Sequence, residues 1–499
     1  MKKRLRKMDN NFNNNLNLIK NISEEKINGK TFGELFNDEA DYISIIKVWG
    51  AALNCWKKNN FLENLKEKII FYYRRKKSKE RTKEFLKYEI KKNQIVFFPI
   101  SETQTMLIEP IIKSLLKGGE HPYVLRFDHS LNGLKQEFEK RSIPYINFDY
   151  FLSDNARNDI RKTRKKFDWV LQAYKNILKK NKNYSVLRPF FNYYFGNRNR
   201  FYEVVEFMWA FKIFLVKERP SLVFLTDDSN DIPRAASYLC KKMGIPCIVS
   251  QHGNIVSDSI IVGETFAMKN LVFGTLVGKI LKTKGIPAKN IEVVGSPIYD
   301  TLTQIHKIDK LKFRKNIGIQ NNQEKVILFD SGNGDLNELK EKLIYLIQII
   351  KKQSNLKLII KQHPAEYPYN RHKKMYKKIA KKYGLPIIIS QDKISDILNI
   401  SDVFITGFST ATIEALALGV PTILLDLKGE YNYESFPESK RVLEHVKKLD
   451  CLEKTLKKIL ESKDTKSIIK SRKKILKNNA FKIDGKSTER IIKIINKLK

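Results

Sequence analysis

A chain of 499 residues is long enough for two or three domains, each with its own core. Its 42% hydrophobic and 11% aromatic content is that of a globular protein, and four scattered cysteines without C-x-x-C spacing (Cys55, Cys240, Cys247, Cys451) argue against a disulfide framework or a zinc site. Lys and Arg outnumber the acids by 94 to 54, a formal charge of +40, but Lys is abundant everywhere and no aromatic RNA-binding signature accompanies the excess.

The start, MKKRLRKMDNNFNNN, has no apolar stretch behind its basic residues, so a signal peptide is not expected and the compartment reads as a reducing cytoplasm. Residues 1–93 carry helical spacing and dense charge and are read as a basic helical extension. The basic runs Tyr72–Lys83 and Arg161–Lys166 suit an anionic lipid face better than nucleic acid.

From Gln94 the pattern changes. QIVFFPIS opens into the helically spaced ETQTMLIEPIIKSLLKGGEH, and YVLRFD and IPYINFDYF follow as strands. PSLVFLTDDSND ends a strand in acids, IPCIVSQHGN is another strand with a polar tip, and NLVFG and IEVVGSPIYD complete a first unit over 94–305. A second series, KVILFDSGNGD, LKLIIKQHPAEY, LPIIIS and DVFITGFSTATIEALALGVPTILLDL, forms a unit over 306–435, and 436–499 reads as basic helices. Strand–helix–strand alternation of this kind is the mark of parallel α/β architecture. The fold class is therefore α/β, with two Rossmann-like domains between a helical N-terminal extension and a helical tail.

The most apolar passage, Val403–Leu425, has one charge, Glu414. A central carboxylate with Gly407, Gly419 and Pro421 makes it a poor membrane span, whereas a buried strand, a short helix stopped at Gly419 and a second strand account for it. The turn between them offers Gly407, Ser409 and Thr410 as an anion seat at a strand C-terminus. Glu414 lies too far from either hydroxyl for a capping box, and binding a ribose hydroxyl pair gives that carboxylate a reason to be there. His363 and Pro364 follow another strand at the same edge, and the DSGNGD loop, with Ser331, Gly332 and Asn333, is a third group there able to approach phosphate.

These residues resemble the nucleotide-donor half of GT-B transferases of bacterial surface-polysaccharide synthesis. The resemblance is to capsule glycosyltransferases, polysialyltransferases and CDP-glycerol glycerophosphotransferases, and it rests on His363–Pro364, Ser409–Thr410 and Glu414–Pro421. SQHG (Ser250–Gly253) and VGSPIYD (Val294–Asp300) are similar to stretches of related capsule proteins. The resemblance implies two facing Rossmann-like domains of GT-B type, a nucleotide-sugar or CDP-glycerol-type donor on the second and a glycan or lipid-linked glycan acceptor on the first. It implies no cofactor and no metal, and a cytoplasmic enzyme that can sit on the inner membrane face.

On this reading Ser409, Thr410, His363 and the DSGNGD amides stabilise the leaving phosphate and Glu414 holds the ribose. The general base comes from His252, Asp228, Asp227 or Glu102. The acidic pair followed by glycine of polysialyltransferases is absent, since serine follows Asp228. Two rivals stand beside the transferase. A basic nucleic-acid-binding protein would leave the second-domain loops unexplained. A non-hydrolysing UDP-N-acetylglucosamine 2-epimerase shares the fold, and ISETQTMLIEPIIKSL resembles the opening of that family, with Glu102 well placed. GFSTATIEA, however, lacks the S-G-G-x-x-E-E pattern expected there.

Overall fold

The computed structural model describes residues 93–126, 132–151, 198–253, 265–362 and 371–499, apart from 229–230, 308, 322, 331–335, 408, 430–431 and 462–463. It also describes single positions at 153, 155, 158 and 255, and one antiparallel pair, β1 (Lys26–Ile27) with β2 (Lys30–Thr31), where no strand was expected. The rest of the expected helical extension and both basic runs lie outside the described residues.

Two parallel sheets follow. The first contains β3 (Ile95–Phe98), β4 (Tyr123–Arg126), β5 (Tyr145–Asn147), β6 (Leu222–Leu225), β7 (Cys247–Ser250), β8 (Lys269–Val272) and β9 (Ile291–Val293), in the order β5-β4-β3-β6-β7-β8-β9. The second contains β10 (Lys325–Asp330), β11 (Leu356–Lys361), β12 (Ile387–Ser390), β13 (Val403–Thr406), β14 (Thr422–Leu425) and β15 (Leu443–Val446), in the order β12-β11-β10-β13-β14-β15. Around the first sheet lie α1 (Glu102–Lys117), α2 (Asn132–Lys140), α3 (Arg198–Glu218), α4 (Asp231–Lys242), α5 (Thr275–Thr283) and the single turn α6 (Pro297–Asp300). Around the second lie α7 (Lys310–Asn316), α8 (Leu336–Lys351), α9 (Arg371–Tyr383), α10 (Ile394–Leu398), α11 (Ala411–Ala417) and α12 (Asp450–Leu460), and the chain ends in α13 (Lys466–Ala480) and α14 (Ser487–Leu498). Two Rossmann-like α/β domains of GT-B type are the architecture.

The strands are apolar runs because helices cover both faces: every residue of β3, β6, β7, β13 and β14 is buried. Both orders reverse direction once, between β3 and β6 and between β10 and β13. At such reversals the adjacent loops part and leave a crevice beyond the strand C-termini, where ligands of open α/β sheets bind.

Residues 436–499 were expected to be helical throughout, but Leu443–Val446 is a strand, paired in parallel with β14 through Thr422↔Leu443 to Leu425↔Val446. Val442, Leu443 and Val446 fit helical spacing as well as a strand, and only the edge of β14 decides between them. The remaining tail divides between the domains. Helix α12 sends Leu452, Leu456 and Ile459 into the second core, α14 puts Ile491 and Ile495 into the first, and α13 lies between with Ile468 and Ile475.

The tail needs close approach at Gly274, where a Cβ would stand 2.0 Å from the Asn478 carbonyl oxygen. Gly274→Ala is therefore expected to lower stability by roughly 1–3 kcal/mol, seen as a fall in the urea midpoint with unchanged slope. An unchanged midpoint would show that the tail does not pack there in solution.

Candidate active site

The first crevice is assembled by Gln104. Its buried Oε1 accepts from the Ile100 backbone N–H at 2.7 Å and from the Thr226 hydroxyl at 2.6 Å, tying the β3–α1 turn to the end of β6. Ser101 caps α1 through the Gln104 N–H at 3.3 Å, which leaves Glu102 exposed in the first helical turn above the crevice. Asp227 and Asp228 follow β6 and are both buried, at 4% and 7% exposure.

Burial pushes the Asp228 carboxyl up to about 6, with the Asp227 charge adding to it and the Arg234 guanidinium pulling the other way. Thr265 Oγ1 lies 3.3 Å from Asp228 Oδ2, and Arg234 of α4 donates to the Asp228 carbonyl at 3.4 Å while stacking over Phe266. The pair opens on a cavity of about 100 Å³ lined also by Ser250, His252 and Thr265, with Leu281 and Ile286 as part of its apolar wall. His252 reaches that cavity because Gln251 fixes the turn. The Gln251 Nε2 donates to the Gly253 carbonyl at 2.7 Å and its Oε1 accepts from the Phe273 N–H at 2.8 Å. Three of the four expected bases, His252, Asp228 and Asp227, thus line one cavity, while Glu102 stands at the next strand end.

In the second domain the reversal is pinned by the Thr406 hydroxyl, 3.1 Å from Asp330 Oδ2. Gly407 follows β13, half-buried, and the Ser409 Oγ accepts from the Ala411 N–H at 3.3 Å; Thr410 begins α11 without a side-chain cap. Ser331, Gly332, Asn333, His363 and Pro364 lie outside the described residues, directly after β10 and near the end of β11. Glu414 is half-buried, and among the described residues its carboxylate makes no hydrogen bond or ion pair. Burial pushes it up to about 7, with Lys393 opposing and Asp396 reinforcing the shift.

Sequence reasoning missed Lys361, which closes the otherwise apolar β11. It is 7% exposed, donates to the Gln362 carbonyl at 3.2 Å, and is held below its ordinary value by burial against the support of Asp330, Asp392 and Glu102. A lysine ending an apolar strand just before His363 was the available signal. Arg234 and Thr265 had none, since the fold alone carries them to Asp228.

Among the described residues no three His, Cys, Asp or Glu side chains are grouped to hold a metal ion, and no helix is long and apolar enough to cross a membrane. Each domain carries one carboxyl that burial pushes up, Asp228 to about 6 in the first and Glu414 to about 7 in the second.

Comparison with known structures agrees on the fold. A UDP-N-acetylglucosamine 2-epimerase from Neisseria meningitidis, bound to UDP-GlcNAc, aligns over 81% of this chain and 99% of its own with TM-score 0.54 and 14% identity. The enzyme of that name from Methanocaldococcus jannaschii aligns over 81% and 99% with TM-score 0.51 and 17% identity. That from Rickettsia bellii aligns over 81% and 96% with TM-score 0.52 and 15% identity. No curated protein sequence matches. The family model for UDP-N-acetylglucosamine 2-epimerase matches residues 198–496, well over half of the chain. That match overturns the transferase expectation and favours the rival of the same fold. The motifs behind the expectation, at Ser250–Gly253, His363–Pro364 and Glu414–Pro421, lie within it. The chain belongs to the UDP-N-acetylglucosamine 2-epimerase family.

Proposed function

We propose that the protein inverts C2 of a nucleotide-activated amino sugar, with UDP-N-acetylglucosamine the first substrate to test. The nucleotide lies on the second domain and the sugar at the acids of the first. The family match gives the reading, and the Neisseria relative was solved bound to UDP-GlcNAc. The observation that carries it is the Asp228 carboxyl, buried beside Asp227 at the first crevice and pushed up to about 6, where it can both take and return a proton.

The chemistry follows from the bond that must change. Inverting C2 requires its hydrogen to leave one face and a proton to arrive on the other. As a base removes the proton, the C2–H electrons form a C1–C2 double bond and the C1–O bond breaks, its electrons leaving with the nucleotide diphosphate. Re-addition of a phosphate oxygen at C1 and protonation of C2 on the opposite face restore the sugar, inverted. Its oxidation level is unchanged, so the reading calls for no redox cofactor.

Asp228 is assigned the proton transfer, with Asp227, His252 and Glu102 around it. Ser409, Thr410, Glu414 and, beyond the described residues, His363, Pro364 and the Ser331–Asn333 loop are assigned to the nucleotide. The serine–threonine turn stands where the family's S-G-G-x-x-E-E pattern was expected, so the phosphate is received by hydroxyls as well as by backbone N–H groups.

Incubated alone with UDP-N-acetylglucosamine in D2O, the protein is expected to form the C2 epimer and to incorporate deuterium at C2, read by NMR. No conversion in the absence of an acceptor would sink the proposal.

A further inference from the structure

Thr265 stands between two acceptors with a single proton to give. Its Oγ1 lies 3.3 Å from Asp228 Oδ2 and 3.1 Å from Oδ1 of Asn270 on β8, and it accepts from the Ala267 N–H at 3.3 Å. Both side-chain distances exceed the roughly 2.7–2.8 Å of a settled O–H···O bond, as suits an oxygen placed between two partners. The Ala267 contact occupies one lone pair and holds the oxygen in place. One lone pair and one proton are left to change partners. Thr265, Asn270, Asp227 and Asp228 all line the same cavity.

Asn270 has no second donor to turn to. It is 5% exposed, and its Nδ2 donates to the Asn290 carbonyl at 3.4 Å. Among the described residues, Thr265 is the only donor to its Oδ1. A buried acceptor left without a donor is costly, so the two demands on Thr265 conflict according to the proton on Asp228. While the carboxyl is protonated, it donates to Oγ1 and the hydroxyl donates to Asn270, and every group is satisfied. Once ionised, Asp228 needs a donor itself. The hydroxyl then turns to the carboxylate and Asn270 Oδ1 is left without one.

We infer that Thr265 is a positioning residue for the acid–base step, its hydroxyl turning from Asn270 to Asp228 as the carboxyl loses its proton and back as the proton returns. The hydroxyl supports the carboxylate that acts as base, and the claim of Asn270 keeps that support from trapping Asp228 in the ionised form. The other charged or titratable groups around Asp228 are Asp227 beside it, Arg234 of α4, His252 after β7 and the buried Cys247 within β7. Substitution at Thr265 or Asn270 leaves all four in place. The assignment rests on the reading of Asp228 as the group that exchanges a proton with C2.

The test follows the Asp228 carboxyl directly, by carbon-13 NMR of the full chain labelled at aspartate, with Asp228→Asn identifying the signal. Beside it stands the pH profile of kcat/KM for UDP-N-acetylglucosamine. Thr265→Val keeps the shape and removes the hydroxyl. The titration of Asp228 and the acid limb of the profile are expected to move together to higher pH by about one pH unit, the worth of one hydrogen bond. Asn270→Leu removes the rival acceptor, and both curves are expected to move to lower pH. Thr265→Ser keeps the proton and is expected to restore the wild-type curves. Unmoved titrations in variants whose thermal melts show them folded would overturn the inference, and so would shifts of Thr265→Val and Asn270→Leu in the same direction. A wild type that does not turn over the sugar removes the epimerase reading, and the switch at Thr265 then stands or falls on the NMR titrations.

Discussion

Asp228→Asn is expected to reduce epimerisation of UDP-N-acetylglucosamine by about a thousandfold, the usual worth of a positioned acid–base group, while UDP still binds. Asparagine keeps the shape and can still accept from Thr265, which stands 3.3 Å from the carboxyl. What it loses is the proton exchange. In the wild type the carboxyl must be ionised to act as base, so kcat/KM is expected to fall on the acid side around pH 6, where burial has placed it. The residual rate of the variant should show no such limb.

The stability effect has the opposite sign. A carboxyl whose folded pKa lies above its unfolded value of 3.8 adds stability below that value and loses it as pH rises through about 6. At pH 8 the wild type therefore carries a buried charge that opposes folding, eased by Arg234 and worsened by Asp227. Asp228→Asn is expected to melt no lower than wild type at pH 8 and to lose that advantage below pH 5. A variant that is inactive and also less stable at pH 8 would make Asp228 a structural residue. One that keeps a tenth or more of the turnover would move the chemistry elsewhere.

The strands were readable because a parallel sheet covered on both faces demands continuous apolar runs ending in polar tips, and LVFLTDD and VFITGF have that form. The expected positions of Asp227, Asp228, His252, Gly407, Ser409 and Glu414 therefore fall at strand C-termini or on the helix after them. β15 was not readable, since VLEHV satisfies both periods and owes its conformation to β14. The reaction was misread for a related reason. The HP pair, the serine–threonine turn and Glu414 are proposed to hold a nucleotide, a task that transferases and epimerases of this fold share. What separates them here is the family model over residues 198–496, because both readings call on a base at the Asp227–Asp228 pair. The raised protonation of Asp228 itself comes from burial and the Asp227 charge, against the pull of Arg234, and appears only when β6 and α4 have folded together.

The second large effect is expected from the far end of the chain. Ile491 and Ile495, both 0% exposed, sit in the first-domain core with Ile108, Ile111 and Phe138, although nearly two hundred residues separate them from the end of that domain's sheet. Each isoleucine-to-alanine change in a core costs about 2–5 kcal/mol, so the pair approaches the roughly 5–15 kcal/mol that holds a whole domain. Helix α14 is docked rather than merely adjacent. The Asp300 carboxylate accepts from the Ser487 N–H at 3.1 Å and the Thr488 N–H at 3.0 Å, acting as an N-cap supplied from the interdomain turn. Arg490 donates to the Val294 carbonyl at 2.9 Å, and Gly295, at φ +78, has no room for a Cβ, which would stand 2.6 Å from Ser487 Oγ. The Ile491→Ala, Ile495→Ala double variant is therefore expected to lose hydrogen-exchange protection in β3 and β4 and to lose epimerase activity. Strands β10 and β13, whose core does not contain α14, should remain protected. Wild-type protection throughout would mean that the tail only rests on the surface. Loss in both domains at once would mean that α13, which touches both, makes them a single cooperative unit.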